Sequence, residues 1–156
     1  MTPDADPMTL RDRIEAAMRD AMRARDDQRT QTLRMAMAAA QNRRIALGRD
    51  LTDEEVVDVL TKQVKQRRES VEMYRDGGRE DRAALEEAEA AILAEFLPEQ
   101  LGEADVESLA RAAIAETGAS SPADLGRVMG RLSPRTKGRA DGRMVSEVVR
   151  RLLAGG

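Results

Sequence analysis

Apolar residues recur at intervals of three and four along most of the chain. Leu10, Ile14 and Met18 begin one such stripe, and Leu60 and Val64 belong to another. This spacing places apolar side chains on one face of an α-helix. No segment alternates with period two for long enough to predict a strand. The pattern therefore predicts an all-α protein.

Capping residues mark the boundaries of the first three helices. Thr9 is placed to cap the first helix, and Gly48 to close the second after Leu47. Thr52 and Glu55 form a capping-box sequence at the start of the third helix. Gly77 and Gly78 are expected to end that helix.

A fourth helix is predicted from about Glu80 to Leu97, where Pro98 stops it. Its expected buried residues are Leu85, Ala88, Ile92 and Phe96. The four helices are expected to form an antiparallel bundle or a pair of helical hairpins. The predicted organisation is a disordered leader (1–8), an N-terminal helical domain (9–97), a linker (98–102) and a three-helix C-terminal domain (103–156).

Three shorter helices are predicted after the linker. The first runs from about Glu103 to Thr117. The second begins at the N-cap Ser121, with Pro122 in its first turn, and ends at residues 133–134. Asp141 is placed to cap the last helix.

Composition narrows the possible chemistry. Histidine and cysteine are absent, so the usual general base, thiolate nucleophiles and disulfides are excluded. No metal-ligand or phosphate-loop spacing is present, so no metal, cofactor or catalytic residue is predicted. No apolar run reaches the roughly 20 residues of a membrane span. The first seven residues do not resemble a signal peptide, and a cytoplasmic protein without catalysis of its own is expected.

Charge is distributed unevenly. Residues 118–156 contain eight Arg or Lys against three acids, a net charge of +5 within a chain of net charge −3. A basic tail on an acidic body favours a polyanionic partner for the tail. Alternatively, these arginines only solvate a small helical domain.

The basic tail also contains glycines at helical spacing. Gly126 and Gly130 are four residues apart and leave a smooth patch, against which either another helix of the domain or a phosphate backbone could pack. Nearby cations suit contacts to phosphates. Without aromatic residues for base stacking, structured RNA recognised by shape is the better fit. The candidate nucleic-acid-binding residues are Gly126, Arg127, Gly130, Arg131, Arg135, Lys137, Gly138, Arg139 and Arg143.

A second basic cluster lies on the predicted third helix. It contains Lys62, Lys65, Arg67 and Arg68, with acidic residues following closely. Most of it is interpreted as a solvated face whose charges pair with one another along the helix.

Several motifs resemble the GatB/YqeY family. They are Phe96-Leu97-Pro98-Glu99-Gln100-Leu101, Thr117-Gly118-Ala119-Ser120-Ser121, Asp124-Leu125-Gly126-Arg127-Val128-Met129-Gly130 and Lys137-Gly138-Arg139-Ala140-Asp141-Gly142-Arg143. In the N-terminal half, Leu51-Thr52-Asp53-Glu54-Glu55 and Lys65-Gln66-Arg67-Arg68-Glu69-Ser70 are similar to the stand-alone YqeY-like proteins. The resemblance covers nearly the whole chain beyond residue 8.

The resemblance implies a link to tRNA. The family shares its C-terminal module with the tail of the B subunit of the tRNA-dependent amidotransferase, a small helical domain that engages the body of the tRNA. It implies roles for Gly126, Gly130, Lys137, Gly138 and Arg139 in this contact. The enzyme's active site, which uses glutamine as amido donor, has no counterpart here.

The sequence and the resemblance together suggest three alternative functions for this chain. The first is a non-catalytic tRNA-binding or tRNA-associated accessory protein. The second is a protein–protein adapter acting through the acidic N-terminal bundle. The third is a component of a glutamine-dependent amidotransferase, a carbon–nitrogen ligase.

Overall fold

The computed structural model describes residues 8–155, and these form an all-α protein without strands. The fold class predicted from the sequence is confirmed. The helices of the described chain are α1 (Leu10–Arg23), α2 (Asp27–Leu47), α3 (Asp53–Asp76), α4 (Glu80–Ala94), α5 (Glu103–Thr117), α6 (Leu125–Thr136) and α7 (Gly142–Leu153), with a 3₁₀ turn at Pro122–Asp124 before α6.

The chain divides into two compact units, 1–97 and 98–156. The predicted leader lies outside the described residues, apart from Met8. Residues 98–102, predicted as a linker, belong to the second unit. No helix of the described part is long and apolar enough to cross a membrane.

Local capping explains where the first helices begin and end. The Thr9 hydroxyl accepts a hydrogen bond from the Asp12 N–H at 3.1 Å. Thr52 and Glu55 exchange the two hydrogen bonds of a capping box, at 3.0 and 3.2 Å. Gly48 closes α2 with φ of +71°, a conformation that costs glycine little. These boundaries follow the sequence prediction.

The first unit is held by an aliphatic core. Ile14, Leu33, Leu60 and Leu93, one from each helix, are at most 2% exposed. Their burial removes apolar surface from water, which is the main force holding such helices together. The stripes predicted from Leu10, Ile14 and Met18 and from Leu60 and Val64 thus point inward.

Of the buried residues predicted for the fourth helix, Ile92 and Phe96 pack against the core but Leu85 does not. Leu85 is 53% exposed, whereas Ala83, Ala90 and Leu93 are buried. The reason is Arg67, which α3 carries into the interior and which binds the carboxylates of Glu86 and Glu89. Because a buried guanidinium requires charged partners, α4 turns this acidic edge inward and leaves Leu85 outside.

The second unit has its own core around α5, α6 and α7. Val106, Val128, Leu132 and Val149 are fully buried there. Helix α6 continues to Thr136, beyond the end predicted at residues 133–134. Pro134 lies inside the helix, where it removes one hydrogen bond. Leu132 and Thr136, buried on either side of it, hold the last turn in place.

Candidate nucleic-acid interface

Gly126 and Gly130 lie on the solvent side of α6. Both are exposed, and no described atom outside the helix backbone lies within 4 Å of the position that a Cβ would occupy. Packing against another helix therefore does not account for them. A glycine inside a helix costs roughly 1 kcal/mol relative to alanine, and no contact within the described chain offsets this cost.

Arginines follow α6 beside the glycines. Arg127, Arg131 and Arg135 are spaced by four residues, so their side chains lie along one face of the helix. These side chains are 59%, 57% and 40% exposed. The helix therefore presents a row of guanidinium groups next to a strip without side chains, a surface that a negatively charged backbone can approach closely.

These arginines have carboxylate partners. Arg127 contacts Asp124 at 3.2 Å, while Arg131 and Arg135 share Glu116 of α5, at 3.4 and 3.0 Å. Sequence reasoning missed Glu116, because only the packing of α5 against α6 brings it near. The second unit contains nine basic and eight acidic residues, so α5 largely balances the basic tail.

Asp124 organises the start of this helix. Its carboxylate accepts hydrogen bonds from the backbone N–H groups of Ser120 and Ser121, at 2.9 and 3.2 Å. These bonds, together with the charge of Arg127, lower the pKa of Asp124 below its ordinary value. Asp124 therefore remains ionised well below neutral pH and holds the first turn in place.

Gly138 and Arg139 hold the loop between α6 and α7. Gly138 is buried with φ of +74°, and its carbonyl accepts a hydrogen bond from the side chain of Gln100 at 2.8 Å. The N–H of Leu101 donates to the carbonyl of Arg139 at 2.7 Å, and Arg139 Nε donates to the carbonyl of Glu99 at 3.2 Å. Both residues thus fasten residues 99–101 to the loop.

The nine predicted binding residues lie on different elements and differ in how exposed they are to solvent. Five of them lie on α6, namely Gly126, Arg127, Gly130, Arg131 and Arg135. Lys137 follows directly and is exposed, whereas Gly138 is buried. Arg143 is exposed in the first turn of α7, with Nε 3.9 Å from Glu147. The exposed face of α6 is therefore the best-defined part of the candidate interface.

Comparison with known proteins gives two kinds of match. A model of the family described as "Yqey-like protein" matches residues 11–153. A protein of Pyrenophora tritici-repentis named "Altered inheritance of mitochondria protein 41, mitochondrial" is 30% identical over 146 residues, covering 90% of this chain and 79% of its own. A protein of the same name from Lachancea thermotolerans is 32% identical over 85 residues, covering 54% of this chain and 46% of its own.

The names of both relatives place those proteins in mitochondria, and the cytoplasmic location of this chain stays a prediction. The family match extends from α1 to the end of α7 and includes both compact units. The protein therefore belongs to the YqeY-like family, as the motifs of its sequence indicated.

Proposed function

We propose that the second unit binds the sugar–phosphate backbone of a structured RNA, with tRNA as the first candidate, and that the chain is a non-catalytic accessory protein. The observation that carries this proposal is the open strip at Gly126 and Gly130, flanked by exposed arginines. Cations beside a strip without side chains suit contacts that position a nucleic acid without reading its bases.

The existing ion pairs do not prevent such binding. Exposed pairs such as Arg127–Asp124 contribute only about 0–1 kcal/mol. Phosphate oxygens can accept paired hydrogen bonds from a guanidinium. Release of counterions from the RNA makes the free energy of binding more favourable at low salt. The arginines can therefore exchange a weak internal partner for a phosphate.

Shape recognition fits this surface better than base stacking. The only aromatic residues, Tyr74 and Phe96, are both in the first unit. Binding of unpaired bases depends largely on aromatic platforms, which the second unit lacks. Double-helical RNA is instead contacted through its phosphates and 2′-hydroxyls.

The test is a titration of fluorescently labelled tRNA with the full chain, followed by anisotropy at about 50 and about 200 mM salt. Combined Arg127→Gln and Arg131→Gln substitutions are expected to weaken binding about tenfold or more, and to lower the salt slope by about 1.5. The matched control carries Arg13→Gln and Arg43→Gln, two exposed cations of the first unit.

Glu116→Gln gives an independent check, because it removes the carboxylate that competes for Arg131 and Arg135. This variant is expected to bind tRNA more tightly than the natural chain. Absence of tRNA binding at low salt would exclude the proposal. Equal affinity of the double arginine variant and its control would exclude this face of α6.

The other two functions predict different results. A protein–protein adapter retains its protein partners in a pull-down after nuclease treatment, without needing the α6 arginines. An amidotransferase component supports glutamine-dependent amide transfer when added to the purified reaction.

A further inference from the structure

The outward face of α2 is unusually poor in charge. About 35% of the chain is charged, yet five outward positions spaced by three and four residues are uncharged. Among them, Met35 is 55% exposed and Ile45 is 67% exposed. A helix with apolar residues on its outer side is usually covered by another element. The five positions are Gln31, Met35, Ala38, Asn42 and Ile45.

A matching row on α3 lies beside this face. Met35, Gln63, Gln66 and Ser70 line a shallow groove between the two helices, with Arg67, whose charge is paired with Glu86 and Glu89, at its base. The α3 row ends at Met73, which is 74% exposed. The side chains of the two rows are uncharged, and together they form a surface that we call the α2–α3 face. The α3 positions are Val59, Gln63, Gln66, Ser70 and Met73.

The middle of the outer edge of α3 carries charges in two blocks. Lys62 and Lys65 come first and Glu69 and Glu72 follow, and the edge continues to Asp58 at one end and Asp76 at the other. The sequence predicted that these charges pair along the helix, but none of the four makes an ion pair within the described residues. A lysine four residues before a glutamate is the less favourable order for such a pair.

We propose that the α2–α3 face binds a second copy of this chain. When two α3 helices run antiparallel about a two-fold axis near Gln66, Lys62 and Lys65 of each copy face Glu69 and Glu72 of the other. The same arrangement sets Val59 against the exposed Met73. Two-fold interfaces use the same patch on both subunits and must be self-complementary. The four central charges have that property, and their attraction outnumbers the repulsion between Asp58 of each copy and Asp76 of the other at the ends of the edge.

The dimensions of the face agree with a reversible dimer. Helix α3 has 24 residues and is therefore about 36 Å long. Two adjacent helices present a strip about 20 Å wide, or roughly 700 Å² per copy. A standard protein interface buries about 800 Å² per partner. With few large apolar residues on the face, association is expected at micromolar concentrations.

Charge reversal tests the pairing. The molar mass of the full chain is measured by sedimentation velocity from about 1 to about 200 µM, and a monomer–dimer equilibrium is expected. Combined Lys62→Glu and Lys65→Glu substitutions make the edge wholly acidic. Combined Glu69→Lys and Glu72→Lys substitutions make its four central charges all basic. Each pair should weaken self-association at least about thirtyfold.

Mixing the two charge-reversed variants is the decisive step. Each alone repels itself, but the acidic edge of one complements the basic edge of the other, so a heterodimer should form. A variant with all four substitutions should regain the homodimer. A control with Arg13→Glu and Arg43→Glu, exposed cations outside this face, should associate like the natural chain.

Three results would overturn the proposal. The natural chain could remain monomeric throughout the concentration range. The charge-reversed pairs could associate as strongly as the control. The two variants could remain monomeric when mixed, which would show that the charge blocks do not face each other.

Discussion

Gly130 lies in the middle of α6, is exposed, and has nothing within 4 Å of the position that a Cβ would occupy. Alanine at this position meets no steric obstacle. Because alanine has less backbone freedom than glycine in the unfolded chain, it loses less entropy on folding. Gly130→Ala is therefore expected to stabilise the second unit by about 1 kcal/mol. For a domain of this size, that corresponds to a rise in Tm of roughly 4–8 °C.

The same substitution is expected to weaken RNA binding. If a phosphate backbone contacts the strip between the arginines, one methyl group keeps it at a greater distance. The affinity for tRNA should therefore fall while the stability rises. The two quantities are measured on the full chain, stability by differential scanning calorimetry and affinity by anisotropy.

Gly118→Ala is the matched control. Gly118 ends α5 with φ of +68°, where an L side chain is strained. This variant should lose about 1 kcal/mol of stability and retain its affinity for tRNA. A Gly130→Ala protein less stable than the natural chain would refute the description of an open helix face. A more stable variant with unchanged affinity would refute close approach of the RNA at Gly130.

Three other predictions follow from the packing and the charges. Arg67→Met should destabilise the first unit by about 3 kcal/mol or more in urea unfolding, because the partly buried carboxylates of Glu86 and Glu89 lose their partner. Adding Glu86→Gln and Glu89→Gln to this variant should restore much of the lost stability. Gly138→Ala should lower the free energy of unfolding by about 1–2 kcal/mol in the same assay, since Gly138 is buried with φ of +74°. An unchanged free energy of unfolding would contradict this left-handed, buried conformation of Gly138. Hydrogen bonds from Arg49 and from the Thr52 backbone lower the pKa of Glu55 from 4.5 to about 2. The ionised Glu55 therefore contributes its full stabilisation above about pH 4.5, and this contribution is lost as the pH falls towards 2. Glu55→Gln should flatten this part of the curve of Tm against pH.

The limits of sequence reasoning are clearest at α4 and α6. Leu85 was predicted to belong to the buried stripe of α4, but the acidic edge that binds Arg67 faces inward instead. Pro134 was expected to end α6, but buried neighbours carry the helix two residues further. In both places packing in the core outweighed the local preference.

In the candidate interface, too, some features can be predicted from the sequence and others depend on packing. The glycine spacing and the row of arginines are visible in the sequence, because residues four apart share a helix face. Whether that face packs against another helix could not be decided from spacing. The structure leaves it open and places Glu116 beside two of its arginines.

By itself, the sequence determined the all-α class, most helix ends and the family. These depend on interactions within a few residues, such as the capping box of Thr52 and Glu55. Only the tertiary structure decided which side of α4 is buried, whether the open face of α6 is covered, and which charges meet. Gly138, predicted as a binding residue, is enclosed by contacts with residues nearly forty positions away. Such contacts depend on how the helices pack, and no local pattern encodes them.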